Sequence, residues 1–290
     1  MPVDLQNGCM AETSVPTYTL NDGTTLPAIG FGTYPLTGDA GVAAIQSALE
    51  VGYRLLDTAV NYENETEVGE ALRRSGLPRD EVQVASKLPG RHHAYDDAIA
   101  SVHGSLERLG LDYLDLHLVH WPNPRVGKYV EAWQALVDLK EQGLVRSIGV
   151  SNFSQDHLTR IIDASGVTPS VNQVELHPRF TQQWMRQVNE GLGIRTEAWS
   201  PMGKRQAPLE EPAVTKAAER LEVTPGQVIL RWHVQIGSLP IPKSSNPERQ
   251  RQNLDVFGFE LTDEQVAAIS GLAEDDGRLF GGDPDTHEEM

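Results

Sequence analysis

The chain contains one cysteine, Cys9, among 290 residues. A single thiol cannot form an intrachain disulfide bond, and it excludes a metal site built from several cysteines. Basic residues are also scarce: 24 Lys and Arg stand against 41 Asp and Glu, which gives a formal net charge of −17. This balance argues against a general nucleic-acid binder and against attraction to an anionic membrane surface. No apolar run approaches the ~18 residues that a membrane span needs.

The first 16 residues contain neither a basic segment nor an apolar stretch of the kind that forms a secretory signal. We therefore interpret residues 1–16 as a flexible leader and predict a cytoplasmic protein. The hydrophobic fraction of 39% and the charged fraction of 22% are ordinary for a chain with a sizeable core. The length suits two domains or one α/β barrel, because such barrels run to ~250 residues or more.

Short apolar segments of strand-forming residues recur along the chain. A hairpin is predicted first, because Asn21-Asp22-Gly23 supplies the positive backbone angles of a tight turn between two such segments. Eight further segments follow, near residues 27–32, 53–58, 82–87, 114–119, 145–150, 171–175, 194–198 and 238–242. Their spacing leaves room for a helix after most strands, which is typical of alternating β and α units.

Helical signals lie between these segments. Apolar residues recur at a helical period over residues 99–109 and 130–137. Ser154 is predicted to cap a helix, and Thr224 and Thr262 are each followed by a glutamine three positions later, which predicts capping boxes.

The predicted strands and helices alternate without a Pro/Gly/Ser linker and without a repeat of fixed period. This pattern predicts an α/β fold of the (β/α)8 TIM-barrel class, with residues 1–290 as a single domain. The alternative is an open doubly wound sheet, which usually carries GxGxxG after its first strand. The nearest match, at residues 30–35, has Pro35 in place of the third glycine, and the chain has no GxxxxGK phosphate loop. The pattern therefore favours the barrel.

Polar side chains end several of the predicted strands, where barrels carry out their chemistry. Asp57, Lys87 and His120 end three consecutive strands, and Tyr62 lies on the loop after Asp57. An ammonium lowers the pKa of a nearby phenol, and a carboxylate keeps that ammonium charged. The four side chains therefore form a plausible set for delivering a proton to a carbonyl oxygen. Taken singly, the carboxylate could instead cap a helix and the lysine could be solvated.

A metal site is not predicted. His117 and His120 are three positions apart on one strand, and side chains at that spacing point to opposite faces. The pair therefore cannot hold one ion.

The segment IPKSSNPERQRQN, residues 241–253, follows the eighth strand and opens a helix near Pro247. Phosphate sites in barrels favour this region and a helix N-terminus, where backbone N–H groups attract anions. Lys243, Ser244, Arg249 and Asn253 add donors. A solvated basic turn is the alternative interpretation.

The chain resembles the aldo-keto reductases, and within them the bacterial branch similar to 2,5-diketo-gluconate reductases. The resemblance runs from the hairpin to about residue 280. The matching strings are DTAVNYENE (57–65), SKL (86–88), LVHWP (118–122), GVSNF (149–153), NQVELHP (172–178) and IPKSSNPERQRQN (241–253). It implies a barrel whose N-terminal hairpin closes the bottom, NADPH as cofactor, a small-molecule carbonyl substrate and a monomer.

The resemblance also implies roles for single residues. Tyr62 is the general acid, Lys87 paired with Asp57 depresses the pKa of that tyrosine, and His120 orients the carbonyl. The residues that it assigns to the cofactor are Thr33, Asp57, Ser151, Asn152, Gln173, Trp199, Ser200, Lys243, Ser244, Arg249, Gln252 and Asn253.

The substrate pocket is predicted to include Tyr34, Tyr62, His120, Trp121 and Phe280. Loops at 122–129 and 201–212 and the acidic tail at 274–290 are expected to set specificity. For the tail two interpretations stay open: a flap around residues 278–282 that brings Phe280 to the substrate, and a solvated, mobile terminus beyond residue 283.

Two other functions remain open at this stage. The barrel could bind NADPH as a regulatory module with little turnover. It could also be a phosphate-handling isomerase or aldolase in which Lys87 forms a Schiff base, which needs a neutral amine.

Overall fold

A computed structural model describes residues 15–289 of the chain. Most of the predicted leader, with Cys9, therefore lies outside the described residues. The first elements are two short antiparallel strands, β1 (Thr17–Thr19) and β2 (Thr25–Pro27), as the turn sequence predicts. Gly23 has a φ of 83°, and the Asp22 carboxylate accepts hydrogen bonds from Thr24. The predicted hairpin is thus confirmed.

Eight parallel strands form the barrel, and each overlaps one of the eight predicted segments, although the first strand begins only at Phe31 and Pro27 belongs to the hairpin. They are β3 (Phe31–Gly32), β4 (Leu55–Asp57), β5 (Gln83–Leu88), β6 (Leu114–Val119), β7 (Val145–Ser151), β8 (Val171–Glu175), β9 (Arg195–Trp199) and β10 (Leu239–Ile241). The Gly30 N–H donates to the Pro240 carbonyl at 3.1 Å and the Gly32 N–H to the Pro242 carbonyl at 3.0 Å, which joins the first barrel strand to the last. A Cβ at Gly30 would lie only 2.5 Å from the Ile241 side chain, so a larger residue here would have to displace that side chain. The (β/α)8 fold is confirmed.

Helices surround the barrel. In the described part they are α1 (Gly38–Val51), α2 (Glu65–Ser75), α3 (Tyr95–Leu109), α4 (Tyr129–Glu141), α5 (Gln155–Ser165), α6 (Gln183–Gly191), α7 (Pro212–Leu221), α8 (Pro225–Gln235), α9 (Pro247–Leu254) and α10 (Asp263–Ser270). Ser154, Thr224 and Thr262 each form a capping box at the start of α5, α8 and α10. No helix within residues 15–289 is both long enough and apolar enough to span a membrane.

The core has two layers. The larger one lies between the helices and the outer face of the barrel, where Trp133 and Trp232 are fully buried. The smaller one fills the barrel interior with aliphatic side chains, and Leu20 and Leu26 of the hairpin region pack onto it. Several of its members, among them Leu55, Val171 and Leu239, begin their strands, so the hairpin covers the amino-terminal end of the barrel. The hairpin leaves the carboxyl ends of the strands uncovered, and a functional site can lie there.

Candidate active site

The carboxyl ends of the barrel strands surround a cavity of about 900 Å³. That volume lies at the upper end of the range for small-molecule sites. The sequence-predicted residues that line it are Thr33, Tyr34, Asp57, Tyr62, His120, Trp121, Asn152, Gln173, Trp199, Ser200, Lys243, Ser244, Arg249, Gln252 and Asn253. Lys87 and Ser151 lie buried behind this surface, and Phe280 does not line the cavity.

Lys87 lies at the floor of the cavity and is completely buried. Its Nζ donates to Asp57 Oδ1 at 2.6 Å, to the Thr58 carbonyl at 2.9 Å and to Tyr62 Oη at 3.4 Å. Burial by itself lowers the pKa of the Lys87 ammonium, but the charge of Asp57 and the Tyr62 hydroxyl outweigh it and raise that pKa above its ordinary value. The lysine is therefore held as a cation, which is unsuited to a Schiff base.

Tyr62 ends a short 3-10 helix, Val60–Tyr62. The loop that carries it is fixed by Asn64, a residue that the sequence analysis did not single out. Asn64 is fully buried, donates to the Thr33 and Leu36 carbonyls at 3.0 and 2.9 Å, and accepts from the Thr58 hydroxyl at 2.7 Å. The tyrosine hydroxyl is thus held beside Lys87 by a loop with little freedom.

Burial raises the pKa of the Tyr62 phenol, while the ammonium of Lys87 acts in the opposite direction. Lys87 thus acts on the pKa of Tyr62 in the expected, lowering direction, but the net direction is upward. The reason is that desolvation of the phenolate outweighs one nearby cation. A phenol with a raised pKa is protonated at neutral pH, which is the state that a proton donor requires.

His120 follows β6 and faces Tyr62, with the ring centroids 5.8 Å apart in an edge-on arrangement. The imidazole is mostly buried, and its Nδ1 lies 2.8 Å from Oε1 of Glu289. Burial acts to raise the pKa of the Glu289 carboxyl, but His120 and hydrogen bonds from Asn61 and Gly90 lower it below its ordinary value. The carboxylate therefore contacts the predicted carbonyl-binding residue.

The end of the chain returns across the mouth of the cavity. The His287 ring packs on Trp121 at 4.2 Å, and the Glu288 carboxylate accepts from the Arg125 N–H at 2.7 Å. Asn123 donates to the Glu289 carbonyl. The interpretation of residues beyond 283 as a solvated terminus is therefore wrong for Glu289, whose side chain is 13% exposed.

The predicted flap contains Phe280, which the structure places beside Trp199. Phe280 stacks on Trp199 with ring centroids 6.1 Å apart, but it is 62% exposed and lies outside the cavity lining. The nearby Leu279 N–H donates to Glu175, which ties this turn to the end of β8. Phe280 therefore covers Trp199 rather than the predicted carbonyl position.

A hydrogen-bond chain connects the ends of β6 to β9. Asn152, with a φ of 61°, donates from its amide to the His120 carbonyl at 3.0 Å and to the Ser151 hydroxyl at 2.9 Å. Ser151 donates to the Gln173 carbonyl at 2.8 Å, and the Trp199 indole donates to Asn152 Oδ1 at 2.8 Å. These bonds fix the predicted cofactor residues before any ligand arrives.

Gln173 also connects two carboxylates beneath the cavity. Its Nε2 donates to Asp57 Oδ2 at 2.9 Å and to Glu197 Oε2 at 3.0 Å. Glu197 is fully buried, and burial followed by the charge of Asp57 raises its pKa to about 8. The sequence analysis missed Glu197, although an acidic residue inside the strand segment IRTEA was a usable signal.

The other end of the cavity is the first turn of α9. Asn246 caps this helix by accepting from the Glu248 and Arg249 N–H groups. Lys243 and Arg249 are exposed, and neither forms an ion pair within residues 15–289. Arg251, by contrast, pairs with Glu248, and Gln252 donates to the same carboxylate at 3.2 Å. Two unpaired cations at a helix N-terminus suit a phosphate group.

The described residues contain no cluster of three or more His, Cys, Asp or Glu side chains that could hold a metal ion. His117 is fully buried, and burial lowers its pKa to about 3.

Comparisons with known proteins agree on one family. Residues 28–274 match the model of the aldo/keto reductase family. The chain is 58% identical over 277 residues to 2,5-diketo-D-gluconic acid reductase B of Corynebacterium sp. (strain SHS752001), covering 96% of this chain and 99% of that protein. It is 46% identical to an aldo-keto reductase of Mycolicibacterium smegmatis, covering 93% of this chain and 98% of the other.

Solved structures agree with the sequence matches. A Gox0644 mutant crystallised in complex with NADPH superposes with a TM-score of 0.90 at 44% identity, covering 94% of this chain and 98% of that chain. A Bombyx mori aldo-keto reductase in complex with NADP superposes with a TM-score of 0.85 at 37% identity, covering 90% and 93%.

Proposed function

The chain belongs to the aldo/keto reductase family, and we propose that it uses NADPH to reduce the aldehyde or ketone group of a small molecule to an alcohol. The observation that carries this proposal is the Tyr62 hydroxyl held 3.4 Å from a buried, charged Lys87 and facing His120 across the cavity. A protonated phenol beside a fixed cation is suited to giving a proton to a carbonyl oxygen.

The roles of the side chains follow from their surroundings. Tyr62 donates its proton to the carbonyl oxygen, and the Lys87 ammonium stabilises the phenolate that remains. Asp57 holds Lys87 in place at 2.6 Å. His120 binds and orients the carbonyl, while the Glu289 carboxylate holds the ring through its other side, at Nδ1.

The cavity fits a nicotinamide dinucleotide phosphate. Lys243, Ser244 and Arg249 provide cations and a hydroxyl for a phosphate monoester, and Trp199 provides a π-face at the end of the cavity that holds Tyr62. Asn152 and Gln173 provide amide groups between these ends. When bound, NADPH supplies the hydride for the carbonyl carbon.

A cofactor-oxidation assay tests the function. We expect NADPH consumption, measured at 340 nm, with some members of a panel of aldehydes, ketones and diketo acids, the last because of the similarity to a diketo-gluconic acid reductase. NADPH binding without turnover across the panel would favour the regulatory module instead. A substrate adduct trapped on Lys87 by borohydride would contradict the charged state of that lysine.

Replacing Arg249 with alanine is expected to weaken NADPH binding about 10- to 100-fold, since a charge-assisted contact to phosphate is worth about 1.5–3 kcal/mol. NADH lacks the 2′-phosphate, so its affinity should stay within about twofold. Fluorescence titration of both cofactors measures this. The matched control is Arg251→Ala on the same helix, whose cation already pairs with Glu248. If the affinities for NADPH and NADH fell equally, the assignment of Arg249 to the 2′-phosphate would be wrong.

A monomeric state and a cytoplasmic location stay predictions. Gel filtration with light scattering tests the first of them.

A further inference from the structure

The end of the tail, residues 283–289, is anchored to the loops that follow two neighbouring barrel strands. After β7, the Ser154 hydroxyl donates to Asp285 at 3.0 Å. After β6, the Arg125 N–H donates to Glu288 at 2.7 Å. Together with the ring contact on the loop after β6, these bonds fix where the last residue of this segment lies.

That residue, Glu289, meets the His120 ring on the side away from the cavity. Its Oε1 lies 2.8 Å from Nδ1 of the imidazole, and its carbonyl accepts from Asn123. The main chain of Gly90 runs so close that a Cβ there would lie 2.5 Å from the Glu289 carbonyl oxygen. None of residues 283–289 lines the cavity. The carboxylate therefore reaches His120 from outside the space that a substrate would fill.

The His120 ring turns its Nε2 edge to the cavity, because Nδ1 is buried next to Glu289 while the residue lines the cavity. A neutral imidazole has one N–H and one acceptor nitrogen. With the hydrogen at Nδ1, where the carboxylate attracts it, Nε2 can only accept, and a carbonyl oxygen offers no hydrogen. Binding a carbonyl through Nε2 therefore requires a hydrogen on both nitrogens, which makes the ring a cation.

Glu289 brings a negative charge to this ring. From the loop after β4, Tyr62 faces the ring as a protonated phenol, and the Lys87 cation beside it already has its own carboxylate partner. From the loop after β5, His93 is neutral, because burial lowers its pKa to about 4. Burial acts to raise the pKa of the Glu289 carboxyl, but its contacts lower it below the ordinary value, so it is ionised at neutral pH. A carboxylate at this distance favours an imidazolium.

We propose that Glu289 is a positioning residue for carbonyl reduction: its carboxylate holds the His120 ring by Nδ1 and stabilises the imidazolium, so that Nε2 carries the hydrogen that binds the carbonyl oxygen of the substrate. This inference rests on the proposed function. It makes the end of the tail part of the active site, although the tail does not line the cavity.

The variant Glu289→Gln tests this role, because glutamine keeps an oxygen beside Nδ1 and loses the charge. The measurement is kcat/KM for NADPH-dependent reduction of a good aldehyde substrate, from about pH 5 to about pH 9. We expect the fall of kcat/KM on the alkaline side to begin about one pH unit lower than in the wild type, since one nearby charge commonly has an effect of that size. Above both midpoints the loss is then about tenfold, and at the acid end it is about twofold or less.

Two comparisons separate this role from a general effect of the tail. Glu288→Gln removes the same charge one residue away and keeps an oxygen that can accept from Arg125, so its pH profile should match the wild type. In a His120→Ala background, Glu289→Gln should change kcat/KM by about twofold or less at any pH, because the ring through which it acts is gone. The affinity of Glu289→Gln for NADPH, from fluorescence titration, should stay within about twofold of the wild type.

The outcomes distinguish this inference from the proposed function. If Glu289→Gln lowers kcat/KM by the same factor at every pH, the tail acts only as a structural anchor and the positioning role is wrong. If the variant equals or exceeds the wild type at every pH, the role is also wrong, and in both cases the reductase proposal stands. If the wild type reduces no carbonyl compound with NADPH, the proposed function fails and the inference fails with it.

Discussion

Tyr62→Phe is expected to lower kcat by about 100- to 10,000-fold, the range over which a general acid contributes to catalysis. Phenylalanine keeps the ring against Tyr34 and His120, whose centroids lie 5.1 and 5.8 Å away, and loses only the hydroxyl next to Lys87. NADPH affinity should therefore stay within about twofold of the wild type. Steady-state NADPH oxidation with a good aldehyde substrate and fluorescence titration of NADPH measure the two quantities.

Tyr34→Phe is the matched control for this variant. Tyr34 lines the same cavity and contacts the Tyr62 ring, but its side chain is 53% exposed and no hydrogen bond connects it with Lys87 in the described structure. Its kcat should stay close to that of the wild type. A Tyr62→Phe variant with wild-type kcat would falsify the assignment of the proton donor.

Lys87→Met is expected to destabilise the fold by about 3–5 kcal/mol and to lower kcat by at least about 100-fold. The loss of stability arises because Asp57 keeps a buried negative charge without its cation. The loss of activity arises because the phenolate left by proton donation has no counter-charge in a desolvated site. Urea unfolding and steady-state kinetics measure the two effects separately.

The double variant Asp57→Asn with Lys87→Met distinguishes these causes. Removing both charges is expected to recover most of the stability, since no unpaired ion remains buried. The activity should not recover, because the cation beside Tyr62 is still missing. Recovery of both quantities together would indicate that Lys87 acts only through the fold.

The sequence predicted the convergence of Asp57, Lys87 and His120 for a simple physical reason. Parallel strands of a closed barrel present their carboxyl ends at one rim, so a polar residue ending each apolar segment must face the same cavity. Predicting where these residues lie therefore required only a correct assignment of the strands. The capping boxes at Thr224 and Thr262 were predictable because they use contacts within four residues.

Contacts between distant parts of the chain were not predictable in this way. Glu289 contacts His120, although 169 residues separate the two along the chain. The many acidic residues around Glu289 are typical of a solvated terminus, so composition alone predicts no such contact. Two further sets of contacts form only in the folded chain. His287 packs on Trp121, and Asn123 and Arg125 donate hydrogen bonds to the tail. The direction of the Tyr62 pKa likewise depends on how much water the whole fold excludes, which no local motif encodes.

The path of the tail has a practical consequence. Glu289 lies with its carboxylate beside His120 and its carbonyl beside Asn123. We therefore expect an affinity tag or reporter fused behind the tail to pull Glu289 away from His120 and to change the activity. The hairpin β1–β2 lies at the opposite end of the barrel, so a fusion partner joined ahead of it would begin far from the chemistry.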